Sequence, residues 1–148
     1  MPKESIAMTP DELRDFLRKD ARLMLATLAE DSKPWGDAVA YVLKDDRIYF
    51  RVPNNAPSLG NIRRDNRVAC VVESHPKGSE YYAIKAATAH GQAQEGSNSG
   101  VDEALAAVPD PVAPDAPREG VVFSVGLDNV ASFAFEKIKY RYEDKRPA

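Results

Sequence analysis

Short apolar segments separated by tight polar turns dominate the first half of the chain and constrain its fold most. Residues 30–33 and 44–47 supply the polar turns between the first three segments. Turns this short can join antiparallel strands, whereas parallel strands need a crossover of about a dozen residues or more. We therefore predict antiparallel strands and not a parallel βαβ sheet. The segments are RLMLATLA (22–29), WGDAVAYVL (35–43), RIYFRV (47–52) and RVACVVE (67–73).

Three further apolar segments follow in the second half of the chain. EYYAIKAATAHGQAQE (80–95) is predicted to be one long strand with a bend near Gly91, because it exceeds the usual strand length. VVFSVGL (121–127) and VASFAFEKIKYRYE (130–143) are predicted to form a closing hairpin. About seven antiparallel strands in one small domain usually close into a barrel, because closure removes exposed edges. We therefore predict a mostly β barrel with two or three short helices, in a single domain over residues 1–148.

The helices have sequence signals of their own. Thr9, Pro10 and Glu12 have the spacing of a capping box, and an apolar stripe follows them. VDEALAAV (101–108) predicts a second helix, with Ser99 and Asp102 in capping positions. The four prolines of residues 109–120 predict an irregular connection. The sequence leaves open whether that connection covers a ligand site or a solvent face.

Charge, hydropathy and cysteine content exclude several classes of partner and indicate a cellular location. The net charge is −3, which argues against a general nucleic-acid binder, since such proteins usually carry a long basic stripe. No apolar run approaches the roughly 20 residues of a membrane span, and the N-terminus shows no apolar signal core. Cys70, the single cysteine, is expected to be a buried apolar residue, and no zinc-ligand spacing is present. We expect a cytoplasmic protein that binds no metal, membrane or nucleic acid.

Positive charge is concentrated between the third and fourth predicted strands. RVPNNAPSLGNIRRDNRV (51–68) contains four arginines and a Pro/Asn loop that leads into a short helix. A helix N-terminus favours anions, phosphate above all. Arg51 at the end of the strand and Ser58 in the first helical turn are therefore candidate ligands of a small anion. The alternative is a surface helix whose arginines are simply solvated.

The order of these segments resembles the pyridoxamine 5′-phosphate oxidase-related family of FMN-binding split barrels. The resemblance covers roughly residues 10–95 and runs through an ATL strand, KPWGDAVAY, DDRIYF, the loop and NIRRDNRVA. It implies a split barrel, an FMN-dependent oxidoreductase acting on a small molecule, and a homodimer with two shared sites. It identifies no catalytic residue. The matching residues are Pro34, Tyr49, Phe50, Asn61, Ile62, Arg63 and Val68.

The resemblance also implies where the cofactor would bind. Backbone groups of the second strand would run beside the isoalloxazine ring, which makes Trp35 and Asp37 site candidates. The sequence departs from the family at Ser58, where relatives usually carry a lysine that binds the flavin phosphate. Loss of one charged hydrogen bond weakens binding about 10- to 100-fold. Arg51 is expected to compensate. The other implied cofactor-binding residues are Val52, Pro57, Ser58, Leu59 and Asn61.

Three alternatives follow from the same residues. The fold can hold a deazaflavin coenzyme in place of FMN, as some relatives do. The second alternative is a non-catalytic protein that binds flavin or haem. It is suggested by Ser58, which replaces the phosphate-binding lysine. The third is an oligonucleotide-binding barrel, for which KIKYRY (137–142) is the one stretch that interleaves aromatic and basic residues.

Overall fold

The computed structural model describes residues 5–19, 22–74 and 83–138. These residues form eight antiparallel strands, three helices of eight or nine residues, and a further helical turn at residues 136–138. The predicted mostly β split barrel is confirmed. None of the helices in these ranges is both long and apolar enough to cross a membrane. The elements are α1 Pro10–Arg18, β1 Arg22–Leu28, β2 Pro34–Lys44, β3 Arg47–Val52, α2 Pro57–Arg64, β4 Arg67–Ser74, β5 Lys85–Gln92, β6 Gln94–Glu95, α3 Ser99–Ala106, β7 Val121–Gly126 and β8 Val130–Ala134.

The long strand β2 divides the sheet into two halves. The strand order is β6-β7-β3-β2-β1-β4-β5-β8. The first half of β2 pairs with β1, from Leu28↔Pro34 to Leu23↔Val39. Its second half pairs with β3, beginning at Ala40↔Arg51. Helices α1 and α3 both contact β2.

The chain passes between the two halves of the sheet at Ala93. Strand β5 pairs with β4 and β8, whereas β6 pairs with β7 in the other half. The Ala93 amide leaves the strand ladder and donates to the Asn66 carbonyl oxygen (2.7 Å). The long strand predicted over 80–95 was thus wrong in part. It is two strands that meet two residues after the expected bend at Gly91, and residues 80–82 lie outside the described ranges.

The predicted closing hairpin is also wrong. Strands β7 and β8 do not pair with each other: β7 pairs with β3, and β8 pairs with β5 at the other end of the sheet. The turn between them carries the chain across the barrel, where the His90 amide donates to the Asn129 carbonyl oxygen. Strand β8 ends at Ala134 and a helical turn follows at 136–138, so the strand predicted over 130–143 was too long. Residues 139–143 lie outside the described ranges.

The start of α1 agrees with its sequence signal. Thr9 is the N-cap, Pro10 occupies the first helical position, and Thr9 and Glu12 form the reciprocal bonds of the capping box. Phe16 and Leu17 are the buried residues of the apolar stripe. The Tyr41 hydroxyl donates to the Leu17 carbonyl oxygen (2.9 Å), which ties the end of α1 to β2.

Helix α3 begins earlier than predicted. Its N-cap is Asn98, whose side-chain oxygen accepts a hydrogen bond from the Val101 amide (3.0 Å), and not Ser99. Asparagine and serine are both preferred at the N-cap position, so residue type alone did not identify which of Asn98 and Ser99 is the N-cap. Val101 and Leu105 are the buried residues of α3.

The core lies between the two halves of the curled sheet. Phe50 and Phe123 stack there with ring centroids 6.1 Å apart. Cys70 is fully buried, and burial raises the pKa of its thiol to about 12. The thiolate is therefore absent at neutral pH, and Cys70 is the buried apolar residue that the sequence predicted.

Candidate functional site

The loop between β3 and α2 leaves a helix N-terminus without a side-chain cap. Residues 53–56 turn the chain, and Pro57 opens α2 at its first position. The N-cap is Ala56, which has no side-chain acceptor to offer. Proline lacks an amide proton, so it reduces the number of donors that need a partner but satisfies none of the others. This end of α2 keeps the anion-favouring character that the sequence indicated.

Ser58 lies in the first turn of α2 and carries an unusual buried hydroxyl. The residue is fully buried, and its Oγ has no hydrogen-bond partner among the described residues. Buried polar atoms without partners are rare in folded proteins, and each needs a specific explanation. Two other predicted site residues belong to the core region: Val52 is fully buried in the core, and Leu59 packs against it.

Asn61 connects α2 to the sheet. Its Nδ2 donates to the Thr27 Oγ1 (3.1 Å), and its Oδ1 accepts from Arg64 (2.9 Å). Both Asn61 and Thr27 are buried. The Arg64 guanidinium also donates to the Leu28 carbonyl oxygen (3.2 Å). Asn61 thus holds the first turns of α2 against β1, and its side chain is already engaged on both sides.

Arg51 is buried at the end of β3, and its guanidinium reaches α3. It donates to the carbonyl oxygens of Leu105 (2.9 Å) and Val108 (3.0 Å), in the last turn of α3 and just beyond it. Desolvation lowers the pKa of Arg51, the negative charge of Asp110 opposes that shift, and the positive charge of Arg118 adds to it. Arg51 therefore stabilises the end of α3 with both terminal nitrogens. Its assignment to cofactor binding stays a prediction.

The other arginines of the 51–68 segment are also engaged. Arg63 forms an ion pair with Glu95 (3.1 Å), and Arg67 forms one with Asp65 (2.7 Å). The Arg67 guanidinium lowers the pKa of the Asp65 carboxyl to about 2. Arg63, Arg64 and Arg67 are exposed, as the alternative of solvated arginines expects, whereas Arg51 is buried. Each arginine of this segment, including Arg64, contacts a carboxylate or a carbonyl within the described residues.

A cavity of about 540 Å³ opens beside this loop. Residues 37–39 of β2 and 53–57 of the loop line it, which brings the predicted site residues Asp37 and Pro57 together. Trp35 lies outside the lining and is 43% exposed, and its Nε1 donates to the Asp37 Oδ2 (3.0 Å). The Trp35 ring therefore fixes one of the carboxylates at the cavity.

The proline-rich segment forms the opposite wall of the cavity. Asp110, Val112, Ala113, Ala116, Pro117 and Glu119 all line it. The proline-rich connection therefore lines this cavity, while most of its residues also face solvent. Asp110 and Glu119 join Asp37 to give three carboxylates, and none of the described lining residues is basic. The sequence analysis missed Asp110 and Glu119, although acidic residues among four prolines were visible in it.

Gly120 fixes the end of this wall to β3. Its φ is +155°, and a Cβ at this position would lie 2.4 Å from the Val52 carbonyl oxygen. A larger residue would force the two backbones apart, so glycine is required for this close approach. Val121, the next residue, begins the pairing of β7 with Val52 of β3.

Two further properties bear on the chemistry of the site. Among the described residues, no group of three or more His, Cys, Asp or Glu side chains could hold a metal ion. The three carboxylates of the cavity come from β2 and from both ends of the proline-rich wall.

The fold is shared with several solved structures of low sequence identity. It is similar to the conserved hypothetical protein Rv2991 from Mycobacterium tuberculosis, with a TM-score of 0.69, 21% identity, and coverage of 94% of this chain and 93% of that chain. An FAD-binding protein from Mesorhizobium loti gives a TM-score of 0.63 and 18% identity, over 85% and 94% of the two chains. The haem storage protein HutZ from Vibrio cholerae gives a TM-score of 0.62 and 13% identity, over 84% of this chain and 93% of that chain. At these identities the likeness shows the fold alone.

No curated protein matches this chain. A family model described as pyridoxamine 5′-phosphate oxidase matches residues 9–122, from the N-cap of α1 to the start of β7. The matched range includes β2, the loop before α2, and the proline-rich wall of the cavity. The chain therefore belongs to the pyridoxamine 5′-phosphate oxidase family.

Proposed function

We propose that this protein is a flavin-dependent oxidoreductase that binds FMN in the cavity between β2 and α2 and acts on a small molecule. The cavity itself is the observation that carries the proposal. It is bounded by residues 37–39 and 53–57, the segments to which the resemblance assigns the flavin ring and the region beside its phosphate. Its volume of about 540 Å³ is in the usual range for ligand pockets.

The ring portion of a flavin fits the lining. Ala38, Val39, Ala56 and Pro57 offer apolar contacts, and Asn54 and Asn55 offer polar atoms at the same cavity. The isoalloxazine ring is uncharged when oxidised, so the carboxylates of the lining do not repel it. When bound, the flavin would supply the hydride or electron chemistry, and the protein would hold and orient it.

The phosphate portion meets a weaker site. The N-terminus of α2 has no side-chain cap, and the Ser58 hydroxyl has no partner among the described residues, so this end of the helix suits an anion. That hydroxyl has no access to solvent, so a phosphate reaches it only if the loop moves. Arg51 would have to leave the carbonyl oxygens of Leu105 and Val108 to compensate for the missing lysine. We therefore expect weaker FMN binding than in relatives that keep the lysine.

The first experiment is an absorbance spectrum of the purified protein, followed by an FMN titration. We expect a flavin spectrum, or saturable uptake of added FMN with one site per chain. Ser58→Ala should weaken that uptake about tenfold, the size of one lost charged hydrogen bond. Ser97→Ala, at an exposed serine outside this cavity, is the matched control. A colourless protein that takes up no FMN contradicts the proposal, and uptake of a deazaflavin alone would change the cofactor to that alternative.

We also propose a homodimer, built on the outer face of β1 and β4. Met24 is 47% exposed there and lies opposite Val71 of the neighbouring strand, with Ala26 opposite Ala69 beside them. Exposed apolar side chains grouped on one sheet face favour association with another protein surface, and two-fold dimers are the commonest oligomers. Phe133 and Phe135, which stack with centroids 4.8 Å apart, are a second candidate for this contact.

The mass in solution tests the dimer. We expect twice the chain mass for the native protein, and a monomer for Met24→Arg because a charge would be buried at the contact. Ala106→Arg, at an exposed position of α3, introduces the same charge away from this face and should leave the dimer intact. A monomeric native protein contradicts the proposal.

A second candidate function is a non-catalytic protein that binds haem or flavin. The engagement of Arg51 favours it, because this buried arginine, at the end of the strand before the loop, already donates to two carbonyl oxygens. Titration with haemin in place of FMN separates the two. A saturable haem absorbance band without FMN uptake supports the second function, and FMN uptake followed by reduction with a nicotinamide donor supports the first.

A further inference from the structure

A second cavity lies on the other side of the proline-rich segment. Its volume is about 560 Å³, and it is bounded by the end of α1, the second half of β2 and the end of α3. Pro109 and Pro111 line it, whereas Asp110 and Val112 line the first cavity. Successive residues of one segment therefore line two neighbouring cavities, which also share Val39 of β2, and the FMN proposal makes no use of the second.

The walls of the second cavity are mainly apolar. Leu17 of α1 is buried beneath it, and Val42 and Leu43 of β2 are half-buried along its side. Ala104 and Val108 close it from α3 and the residues that follow α3. Such a surface binds an apolar ligand body, since burial of apolar area is the main favourable contribution.

Three cations lie at the edge of this cavity. Arg18 and Lys19 come from the end of α1, and Arg22 comes from the start of β1. Arg18 lies 4.0 Å from the Asp15 carboxylate, and Arg22 lies 3.4 Å from that of Glu73. Both of these ion pairs are exposed and therefore weak. None of the described lining residues is acidic, which is the reverse of the first cavity.

We propose that the second cavity binds an amphipathic carboxylate, with its apolar chain on the β2 wall and its carboxylate among the three cations. Basic residues at the end of α1 also interact favourably with the helix dipole. That interaction accounts for Arg18 and Lys19, but not for Arg22, which belongs to a strand, or for the apolar walls beside it. A chain of alkyl carbons ending in a carboxylate matches both parts of the lining.

Calorimetric titration with dodecanoate, kept below its micelle concentration, tests the proposal. We expect saturable binding of one dodecanoate per chain. Ala104→Phe should abolish it, because Ala104 is exposed on α3 and a phenyl ring there would fill the cavity without disturbing the core. Ala106→Phe is the matched control, at an exposed position of the same helix that does not line the cavity, and should bind normally.

The role of the cations is tested separately. The double variant Lys19→Gln/Arg22→Gln should bind dodecanoate about tenfold more weakly. Lys33→Gln/Lys85→Gln removes the same charge from two ion pairs outside both cavities and should bind as the native protein does. FMN uptake should be the same in all four variants. Absence of saturable binding, equal binding of dodecanol, or binding unchanged by both Ala104→Phe and the Lys19/Arg22 variant would overturn the proposal.

Discussion

The N-terminal turns of α1 and α2 are stabilised in opposite ways. At α1, the Thr9 hydroxyl accepts from the Glu12 amide (3.2 Å) and the Glu12 carboxylate accepts from the Thr9 amide (2.9 Å). Both partners lie within one turn of the chain. At α2, the N-cap Ala56 offers no side chain. The side chains around that turn bond elsewhere instead: Arg51 reaches the end of α3, and Asn61 reaches Thr27 of β1.

This difference separates a structural helix start from a candidate binding site. Local hydrogen bonds of the capping box stabilise the start of α1. The start of α2 depends on distant partners and retains one unpartnered buried hydroxyl, at Ser58. Five predictions test the contrast, in order of the expected effect on stability.

Arg51→Met should have the largest effect. It removes the donors to the carbonyl oxygens of Leu105 and Val108 and leaves both without their side-chain partner. We expect the free energy of unfolding to fall by about 2–4 kcal/mol, measured by urea denaturation. Arg63→Met removes an exposed arginine and should cost less than about 1 kcal/mol. Equal losses in the two variants would show that Arg51 does not hold α3.

Asn61→Ala should have the second largest effect on stability. It leaves the buried Thr27 hydroxyl without its partner and frees α2 from β1. The expected loss is about 1–3 kcal/mol in thermal or urea unfolding. Combining it with Thr27→Val in a double-mutant cycle isolates the pair, and additive losses would argue against the coupling.

Thr9→Ala should lower the free energy of unfolding by about 1 kcal/mol, the usual contribution of an N-cap. Thr9→Ser keeps the accepting hydroxyl and should be almost neutral. The same unfolding measurement applies to both. A loss of equal size in Thr9→Ser would assign the effect to the threonine methyl group and not to the cap.

Acid stability should depend on Glu12. Its hydrogen bond to Lys137, together with the capping box, lowers the pKa of this carboxyl from 4.5 to about 2. The lowered pKa in the folded state means that the ionised form stabilises the fold above pH 4.5 and that this stabilisation is lost as the pH falls towards 2. Glu12→Gln should therefore be less stable than the native protein at pH 7 and equal to it near pH 2. Glu103→Gln, at an exposed residue of α3, should show no such convergence.

Ser58→Ala should change stability least. A buried hydroxyl without a partner contributes no hydrogen bond, so we expect a change below about 0.5 kcal/mol, or a slight gain. The same variant is expected to bind FMN about tenfold more weakly, so it separates ligand binding from stability. A loss of stability beyond about 1 kcal/mol would mean that the hydroxyl has a structural partner.

The sequence predictions were accurate for interactions between residues close in sequence and failed for interactions between distant ones. The capping box of α1, the burial of Cys70 and the succession of strands through β4 were predicted from neighbouring residues. The closing hairpin was wrong because apolar periodicity identifies a strand but not its partner. Likewise, nothing in the sequence near Arg51 indicates that its acceptors lie more than fifty residues away, at Leu105 and Val108.

The amino-acid sequence by itself determined an antiparallel β-protein with a capped first helix and a polar loop before α2. Only the tertiary structure decided that β5 and β8 pair at one end of the sheet, that Arg51 holds α3, and that the proline-rich segment lines both an acidic cavity and a neighbouring basic one. The physical reason is that helix caps and tight turns are satisfied within a few residues. Strand partners, buried cations and cavity walls are instead set by which distant segments the curled sheet brings together.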